Sequence, residues 1–139
     1  MLTQIILGSA MIVITTFIQG LFAVTGIERL REHLKRHPTS SLPHGTLKIA
    51  ALVLWLFLGT ITEVWSWAVL YLALGTFDTL EHAVYFSTVT FTTLGFGDIT
   101  LDEEWRLLSS FEAANGLLLF GWSTALVFVG VKWVYRADV

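Results

Sequence analysis

Three long apolar stretches, separated by polar connections, constrain the fold of this chain more than any other feature of its sequence. They cover about residues 2–24, 47–74 and 105–135, and each is long enough for an α-helix to cross a bilayer, which takes roughly 20 residues. With 55% apolar and only 14% charged side chains, the chain is too apolar for an ordinary water-soluble domain. The sequence therefore predicts an all-α membrane protein with three transmembrane helices.

The charged residues predict how these helices are oriented. Basic residues outnumber acidic ones between spans one and two, whereas the connection between spans two and three is acidic and has Arg106 as its only base. Because basic connections stay cytoplasmic, we expect an outside N-terminus and a cytoplasmic C-terminus in the cell (plasma) membrane. The first span has no basic segment before it, so we expect a retained helix rather than a cleaved signal peptide.

Residues 26–46 connect the first two spans and are predicted to form a cytoplasmic amphipathic loop. Ile27, Leu30 and Leu34 recur at helical spacing and favour a short helix on the membrane surface, followed by an irregular link over residues 38–43. The bases of this loop either contact anionic lipid head groups, at about 1 kcal/mol each, or only set the orientation. The sequence leaves both interpretations open.

A fourth apolar stretch, about residues 80–94, is too short to cross the membrane and indicates a re-entrant helix with a cap near Asp78 or Thr79. It leads into residues 93–98, Thr93-Leu94-Gly95-Phe96-Gly97-Asp98, here named the glycine segment. Gly95 and Gly97 alternate, so the backbone can adopt positive φ values that other residues avoid. Non-helical backbone at membrane depth survives only when it is buried in protein or lines a water-filled path. The segment therefore predicts a pore.

The sequence around the glycine segment resembles the pore helix and filter of the potassium channel family. That family has an aromatic pair, a small residue and T-x-T-T-V-G-Y-G-D, and this chain has Tyr85-Phe86-Ser87-Thr88-Val89-Thr90-Phe91-Thr92-Thr93-Leu94-Gly95-Phe96-Gly97-Asp98. Leu94 replaces Val and Phe96 replaces Tyr. The resemblance covers about residues 53–134 and identifies the chain as similar to bacterial channels with a single pore loop, plus an additional N-terminal helix.

The resemblance implies a division of the chain into three regions. Residues 1–25 would be the additional transmembrane helix, 26–46 the cytoplasmic loop and 47–136 the ion channel pore domain. Within the pore domain it implies an outer helix over 47–74, a pore helix and selectivity filter over 79–98 and an inner helix over 105–135. One filter copy per chain implies a homotetramer. We expect no ligand-sensing module after the third span.

The resemblance also implies roles for individual residues. The carbonyls of the glycine segment would coordinate K+, the permeant ion and the only cofactor implied, from Thr93, Leu94, Gly95, Phe96 and Gly97. The Thr93 hydroxyl would add a further ring of oxygens. Tyr85 would hydrogen-bond Asp98 behind the filter and support it.

The third span would line the cavity and form the gate. Gly116 would be the hinge, and Leu117, Phe120 and Thr124 would face the cavity. A ring of four Phe128 side chains would close the path by dewetting, or Phe128 would pack against a neighbouring helix.

Two carboxylates, Glu63 and Glu112, lie within the predicted outer and inner helices. A charge at membrane depth costs at least about 2.5 to 3.5 kcal/mol, so each needs a partner, water or a proton. Bonded to hydroxyls of the predicted pore helix, they would form either a proton-sensitive strut behind the filter or structural hydrogen bonds without a gating role. The aromatic residues near helix ends are typical of interfacial anchors: Trp67, Tyr71, Trp105, Trp133 and Tyr135.

These features favour a potassium-selective channel subunit and give no catalytic triad, phosphate-binding loop or zinc spacing, so an enzyme is not expected. The implied partners are further copies of the chain and membrane lipids, with no nucleic acid. Two alternatives stay open: a weakly selective cation channel, and a non-conducting regulatory or assembly subunit that keeps the channel fold.

Overall fold

A computed structural model describes residues 1–36 and 42–136 of the protein, and this part contains four helices and no strand. They are α1 (Leu2–Arg36), α2 (Leu42–Ala73), α3 (Leu80–Phe91) and α4 (Arg106–Arg136). Within the described residues, α1, α2 and α4 are long and apolar enough to cross a membrane. The 12-residue α3 is too short for that.

α1 continues without a break into the predicted loop region, residues 26–46, and ends at Arg36. The apolar spacing that predicted a separate surface helix instead prolongs α1, because Leu30 is buried against Leu52 of α2 and Leu34 packs on the same cluster. At 1.5 Å per residue, the 35 residues of α1 measure about 52 Å. This exceeds the hydrocarbon thickness of about 30 Å, so the last turns of α1 extend to the level of the head groups.

α2 begins at Leu42, earlier than the predicted boundary at residue 47. Pro43 lies in its first turn, where an amide has no partner within the helix and the missing N–H costs little. The predicted irregular link over 38–43 therefore ends in helix, and its residues 38–41 lie outside the described part of the chain.

The connection from α2 to α3 is a tight turn. Gly75 adopts the left-handed conformation (φ 70°), and the amides of Gly75 and Thr76 donate back to carbonyls of α2 at 3.0 and 3.1 Å. Thr79 then caps α3, since its hydroxyl oxygen accepts the His82 amide at 3.3 Å. Of the two predicted caps, Thr79 and not Asp78 is used.

Glycines lie where the long helices cross closely. A Cβ added to Gly8 of α1 would lie 2.7 Å from the ring of Phe111 in α4, and one on Gly59 of α2 would lie 3.0 Å from Phe22 of α1. Small residues let helix backbones approach one another in a membrane, where packing drives association. α1 is therefore packed along both α2 and α4.

The main buried cluster lies where α3 meets α2 and α4, and it includes Trp67, Tyr71, Phe86 and Phe91. Trp67 and Tyr71 are fully buried, so their predicted role as interfacial anchors is wrong. The physical reason is that other helices cover this face of α2. The cluster fixes the position of α3 and hence of the chain that follows it.

Candidate functional site

The glycine segment starts directly at the end of α3 and is attached to its last turn. The amide of Thr93 donates to Thr90 O at 2.9 Å, and the amides of Leu94 and Gly95 donate to Val89 O at 3.0 and 3.3 Å. The position of α3 therefore determines where the glycine segment begins.

Every second residue at the start of the glycine segment has a positive φ: Thr93 at 60°, Gly95 at 57° and Gly97 at 77°. Glycine adopts this conformation freely, but for a β-branched residue it is an outlier that costs on the order of 1–3 kcal/mol. Among the described residues, Thr93 is the one non-glycine residue with positive φ. The positive φ of Thr93 is not among the features predicted from the sequence, although its two-residue spacing from Gly95 is a usable signal.

The side chains of the glycine segment are uncovered in a single chain. Leu94 and Phe96 are 59% and 66% exposed, and a Cβ on Gly95 or Gly97 would meet no atom within 4 Å. Backbone at membrane depth requires protein or water around it. The segment is therefore incomplete as a buried element in one protomer.

Tyr85 and Asp98 connect α3 to the far end of the glycine segment. Tyr85 Oη donates to Asp98 Oδ2 at 2.6 Å. This hydrogen bond lowers the pKa of Asp98, because it favours the charged carboxylate, and it raises the pKa of Tyr85, whose proton it holds. The segment is thus attached to α3 at both of its ends.

Glu112 of α4 is fully buried and joins three helices through its carboxyl group. Tyr71 Oη of α2 lies 2.6 Å from Glu112 Oε2, and Ser87 Oγ of α3 lies 2.5 Å from Glu112 Oε1. Ser87 Oγ also lies 2.8 Å from the carbonyl oxygen of Val64 in α2. The sequence pattern does not predict Tyr71 as a partner, because a tyrosine near a helix end is typical of the membrane interface.

A count of hydrogens shows which protonation state fits these contacts. The Ser87 hydroxyl has one hydrogen but two oxygen neighbours, Val64 O and Glu112 Oε1, and neither can donate when Glu112 is ionised. With a proton on Glu112, the carboxyl donates to Ser87 Oγ and Ser87 donates to Val64 O. Every close contact is then a hydrogen bond, so the geometry fits a neutral Glu112.

Glu63 does not share this arrangement. It is fully buried, and within the described residues neither of its carboxyl oxygens has a hydrogen-bond partner. The predicted bond to an α3 hydroxyl is absent there, because Ser87 is already engaged by Glu112 and Val64. Glu63 therefore does not connect α2 to α3.

The residues predicted to face a cavity lie along α4. Leu117, Thr124 and Phe128 are exposed in the single chain, whereas the ring of Phe120 packs against Phe91 with centroids 5.8 Å apart. The ammonium group of Lys132 lies 4.4 Å from the ring centroid of Phe128. One face of α4 thus stays uncovered along most of its length.

Gly116 contacts the end of α3 at very short range. A Cβ added there would lie 1.9 Å from the carbonyl oxygen of Phe91, and α4 runs through this position without a break. Glycine is required at this position because a side chain would not fit against α3, and not because the backbone adopts a positive φ. The hinge role that the resemblance implied stays a prediction.

Polar side chains of α1 bind α4 within the apolar body. Asn115 Nδ2 donates to Thr15 Oγ1 at 2.6 Å, and Gln19 Nε2 donates to Ser123 Oγ at 2.7 Å. Thr15, Gln19 and Asn115 are almost completely buried. Asn115 is not among the residues predicted from the sequence, although an amide in an apolar helix is a usable signal for an interhelical hydrogen bond.

Gln4 binds the start of α4 in the same way. Its Oε1 accepts the Leu107 amide at 3.1 Å, and its Nε2 donates to the carbonyl oxygen of Glu104. The Leu107 amide is in the first turn of α4, where amides have no partner within the helix. α1 thus supplies a cap for α4 from outside it.

Within the described residues, no three His, Cys, Asp or Glu side chains come together as metal ligands. The ion ligands predicted from the sequence are of another kind, namely the backbone carbonyls of the glycine segment and the Thr93 hydroxyl. Such neutral oxygens can replace the hydration shell of a potassium ion.

Comparison with known proteins identifies the family of this chain. A family model described as "Ion channel" matches residues 50–131, which is more than half of the chain. The matched region includes most of α2, all of α3, the glycine segment and most of α4, and it leaves out α1. No curated protein and no solved structure matched.

Proposed function

Because this chain belongs to the ion channel family, we propose that it is a potassium-selective channel subunit that forms a homotetramer in the membrane. K+ would pass down its gradient through a path on the tetramer axis. The three apolar helices and the family membership make the chain a multi-pass membrane protein. The plasma membrane, with the N-terminus outside and the C-terminus in the cytoplasm, is the proposed location.

The observation that carries the proposal is the positive φ at Thr93, Gly95 and Gly97. In an ordinary strand, successive residues face opposite sides. A backbone in which left-handed residues alternate with right-handed ones instead turns successive carbonyls to the same side. The energetic cost at Thr93 is consistent with a conformation kept for function.

Potassium selectivity is proposed from the oxygens that this backbone offers. Rings of carbonyl oxygens from Thr93, Leu94, Gly95, Phe96 and Gly97, with the Thr93 hydroxyls, would replace the hydration shell of the ion. Each chain carries one such segment, so a closed ring needs several copies. The resemblance to the potassium channel family supports four copies.

The uncovered parts of the protomer support assembly around that axis. Leu94 and Phe96 are largely exposed in one chain, as are Leu117, Thr124 and Phe128 on α4. In the proposed tetramer, Leu117 and Thr124 line a water-filled cavity below the filter, and Phe128 lies nearer the cytoplasmic end. The C-terminal end of α3 carries partial negative charge and would favour cations there.

The experiment that tests this function is cation flux from liposomes that contain the purified full chain. The oligomeric state is first verified by mass measurement, and K+ efflux is then compared with Na+ efflux under matched gradients. We expect K+ flux to exceed Na+ flux strongly. Gly95→Ala should abolish the selective flux, because alanine disfavours φ 57° in the glycine segment.

Gly75→Ala is the matched control. Gly75 also has a positive φ (70°) and open space around its Cβ, but it lies in the turn after α2. The control should lose some stability, on the order of 1 kcal/mol, and keep its selectivity. Equal K+ and Na+ flux in the unaltered protein would favour a weakly selective cation channel. No flux from a verified tetramer at any pH or voltage would favour a non-conducting subunit.

A further inference from the structure

An open cleft lies between α1 and α2 near the connection that joins them. Its volume is about 470 Å³. The floor is apolar and is formed largely by Gly26, Leu52 and Trp55, while basic side chains line it from both helices. These bases are Arg29, His33 and Lys48.

The floor of the cleft is held in place by α1. A Cβ on Gly26 would lie 2.7 Å from the Trp55 ring, so glycine lets the indole lie directly on the helix. Trp55 Nε1 donates to the carbonyl oxygen of Phe22 at 3.0 Å. The guanidinium carbon of Arg29 lies 4.3 Å from the centroid of the Trp55 ring. The aromatic floor and the nearest positive charge are therefore fixed relative to each other.

The cleft lies at the boundary between hydrocarbon and head groups. α1 is longer than the hydrocarbon thickness by several turns, and its last turns carry Arg29 and His33. Leu52 and Trp55 come from a deeper part of α2 than Lys48, which is closer to the connection. The bases therefore lie on the head-group side of an apolar floor.

Arg29 brings a positive charge to the cleft. Glu28 and Glu32 of α1 are not among its lining residues. Within the described part of the chain, no carboxylate lies within salt-bridge distance of Arg29. A ligand that matches this surface has an anionic head and an apolar tail.

We propose that this cleft binds one anionic phospholipid, with the phosphate at Arg29 and an acyl chain along Leu52 and Trp55. A free phosphate would match the bases but would leave the apolar floor exposed. A zwitterionic lipid would cover the apolar floor, but the positive charge of its head group would lie close to the basic side chains and weaken its binding. The α1 half of the cleft lies outside residues 50–131, whereas Leu52 and Trp55 lie within them, so the site is formed between the additional helix and the matched channel region.

The test measures lipid retained by the purified full chain with mass spectrometry, using phosphatidylglycerol and phosphatidylcholine with identical acyl chains. We expect preferential retention of phosphatidylglycerol that free glycerol phosphate does not displace. Arg29→Gln should lower its affinity about fivefold, which corresponds to about 1 kcal/mol for one base near the head groups. Arg31→Gln, on the same helix but outside the cleft lining, should leave the affinity unchanged.

A second pair of variants tests the apolar floor. Ala51→Phe fills the cleft and should reduce retention of the lipid, whereas Ala50→Phe, at an exposed position outside the lining, should not. Equal loss in both arginine variants, or equal retention of the two lipids, would overturn the proposal. Displacement of phosphatidylglycerol by glycerol phosphate would show instead that the basic side chains bind free phosphate.

Occupation of the cleft by a second copy would also overturn the proposal. The chain has no Cys, so Ala51→Cys introduces a single thiol at the cleft. We expect these thiols to remain free. A disulfide between two copies at this position would show that protein, and not lipid, covers the cleft. None of these measurements depends on conduction, so the lipid site and the channel activity fail or succeed separately.

Discussion

Ser87 of α3 and Glu112 of α4 lie with their Oγ and Oε1 atoms 2.5 Å apart in a fully buried site. Tyr71 of α2 contacts the other carboxyl oxygen at 2.6 Å. The short helix that carries the glycine segment is therefore joined to both of its long neighbours through one carboxyl group. Any response of the channel to protons at Glu112 therefore depends on the hydrogen bonds that this carboxyl group makes with Ser87 and Tyr71.

Glu112→Gln should keep the stability of the protein close to that of the unaltered chain. A glutamine amide can donate to Ser87 and accept from Tyr71, as a neutral carboxyl does. Glu112→Leu should cost about 1–3 kcal/mol for each polar partner left unsatisfied. Thermal unfolding of the detergent-solubilised protein measures both. Equal destabilisation of the two variants would show that a neutral donor and acceptor cannot replace the Glu112 carboxyl group.

The same Glu112→Gln variant separates the two roles that the sequence left open for this carboxylate. A proton-sensitive strut requires that the pH dependence of K+ flux is lost in the variant, and a structural hydrogen bond requires that it is retained. Because the observed contacts fit a neutral Glu112 without further change, we expect the pH dependence to be retained.

Tyr85→Phe should make the glycine segment sensitive to acid at a higher pH. The Tyr85 hydroxyl lowers the pKa of Asp98. The charged carboxylate therefore stabilises the folded glycine segment above the ordinary Asp pKa of about 3.9, and this stabilisation is lost as the pH falls through the lowered pKa. Without the hydroxyl, this pKa returns toward its ordinary value. The acid midpoint of K+ flux should move upward.

Tyr135→Phe is the control for this experiment, because the Tyr135 hydroxyl bonds to Thr46 at 2.9 Å, and both residues lie outside the glycine segment. Its acid midpoint should match that of the unaltered protein. Identical midpoints in all three proteins would show that Tyr85 does not support Asp98 in the assembled channel.

Gly116→Ala should prevent the normal packing of α3 on α4. Its Cβ would lie 1.9 Å from Phe91 O, a backbone atom that cannot rotate away. Gly121→Ala is the matched control in the same helix, since a Cβ there meets no atom within 4 Å, and alanine favours helix by up to about 1 kcal/mol. The thermal unfolding temperature and the yield of purified protein should fall for the first variant alone. An equal yield from both would contradict the observed contact.

Gln4→Leu should loosen the start of α4. The variant leaves the Leu107 amide and the Glu104 carbonyl without their partner, which costs about 1 kcal/mol or more. Hydrogen exchange in the peptide that contains Leu107 should become faster, by roughly fivefold for each kcal/mol. Thr3→Ala, at the exposed neighbouring position, should exchange like the unaltered protein. Unchanged exchange in Gln4→Leu would show that Gln4 does not support the start of α4.

The sequence by itself determined the features that depend on residues close together in the chain. The apolar runs predicted three helices long enough to span a membrane, because span length and side-chain polarity are local properties. The alternation of Gly95 and Gly97 and the preceding Thr-rich helix predicted the kind of backbone at the glycine segment. The predicted resemblance is confirmed at the level of the ion channel family.

The tertiary structure decided which side chains of different helices meet. Tyr71 and Glu112 are 41 positions apart, and Gln4 and Leu107 are 103 positions apart, so no local pattern pairs them. Their contacts follow from how far α1, α2 and α4 slide and rotate against one another, which depends on close packing at glycines such as Gly116. The same reason explains why Tyr71 lies in the core and Glu63 does not reach α3.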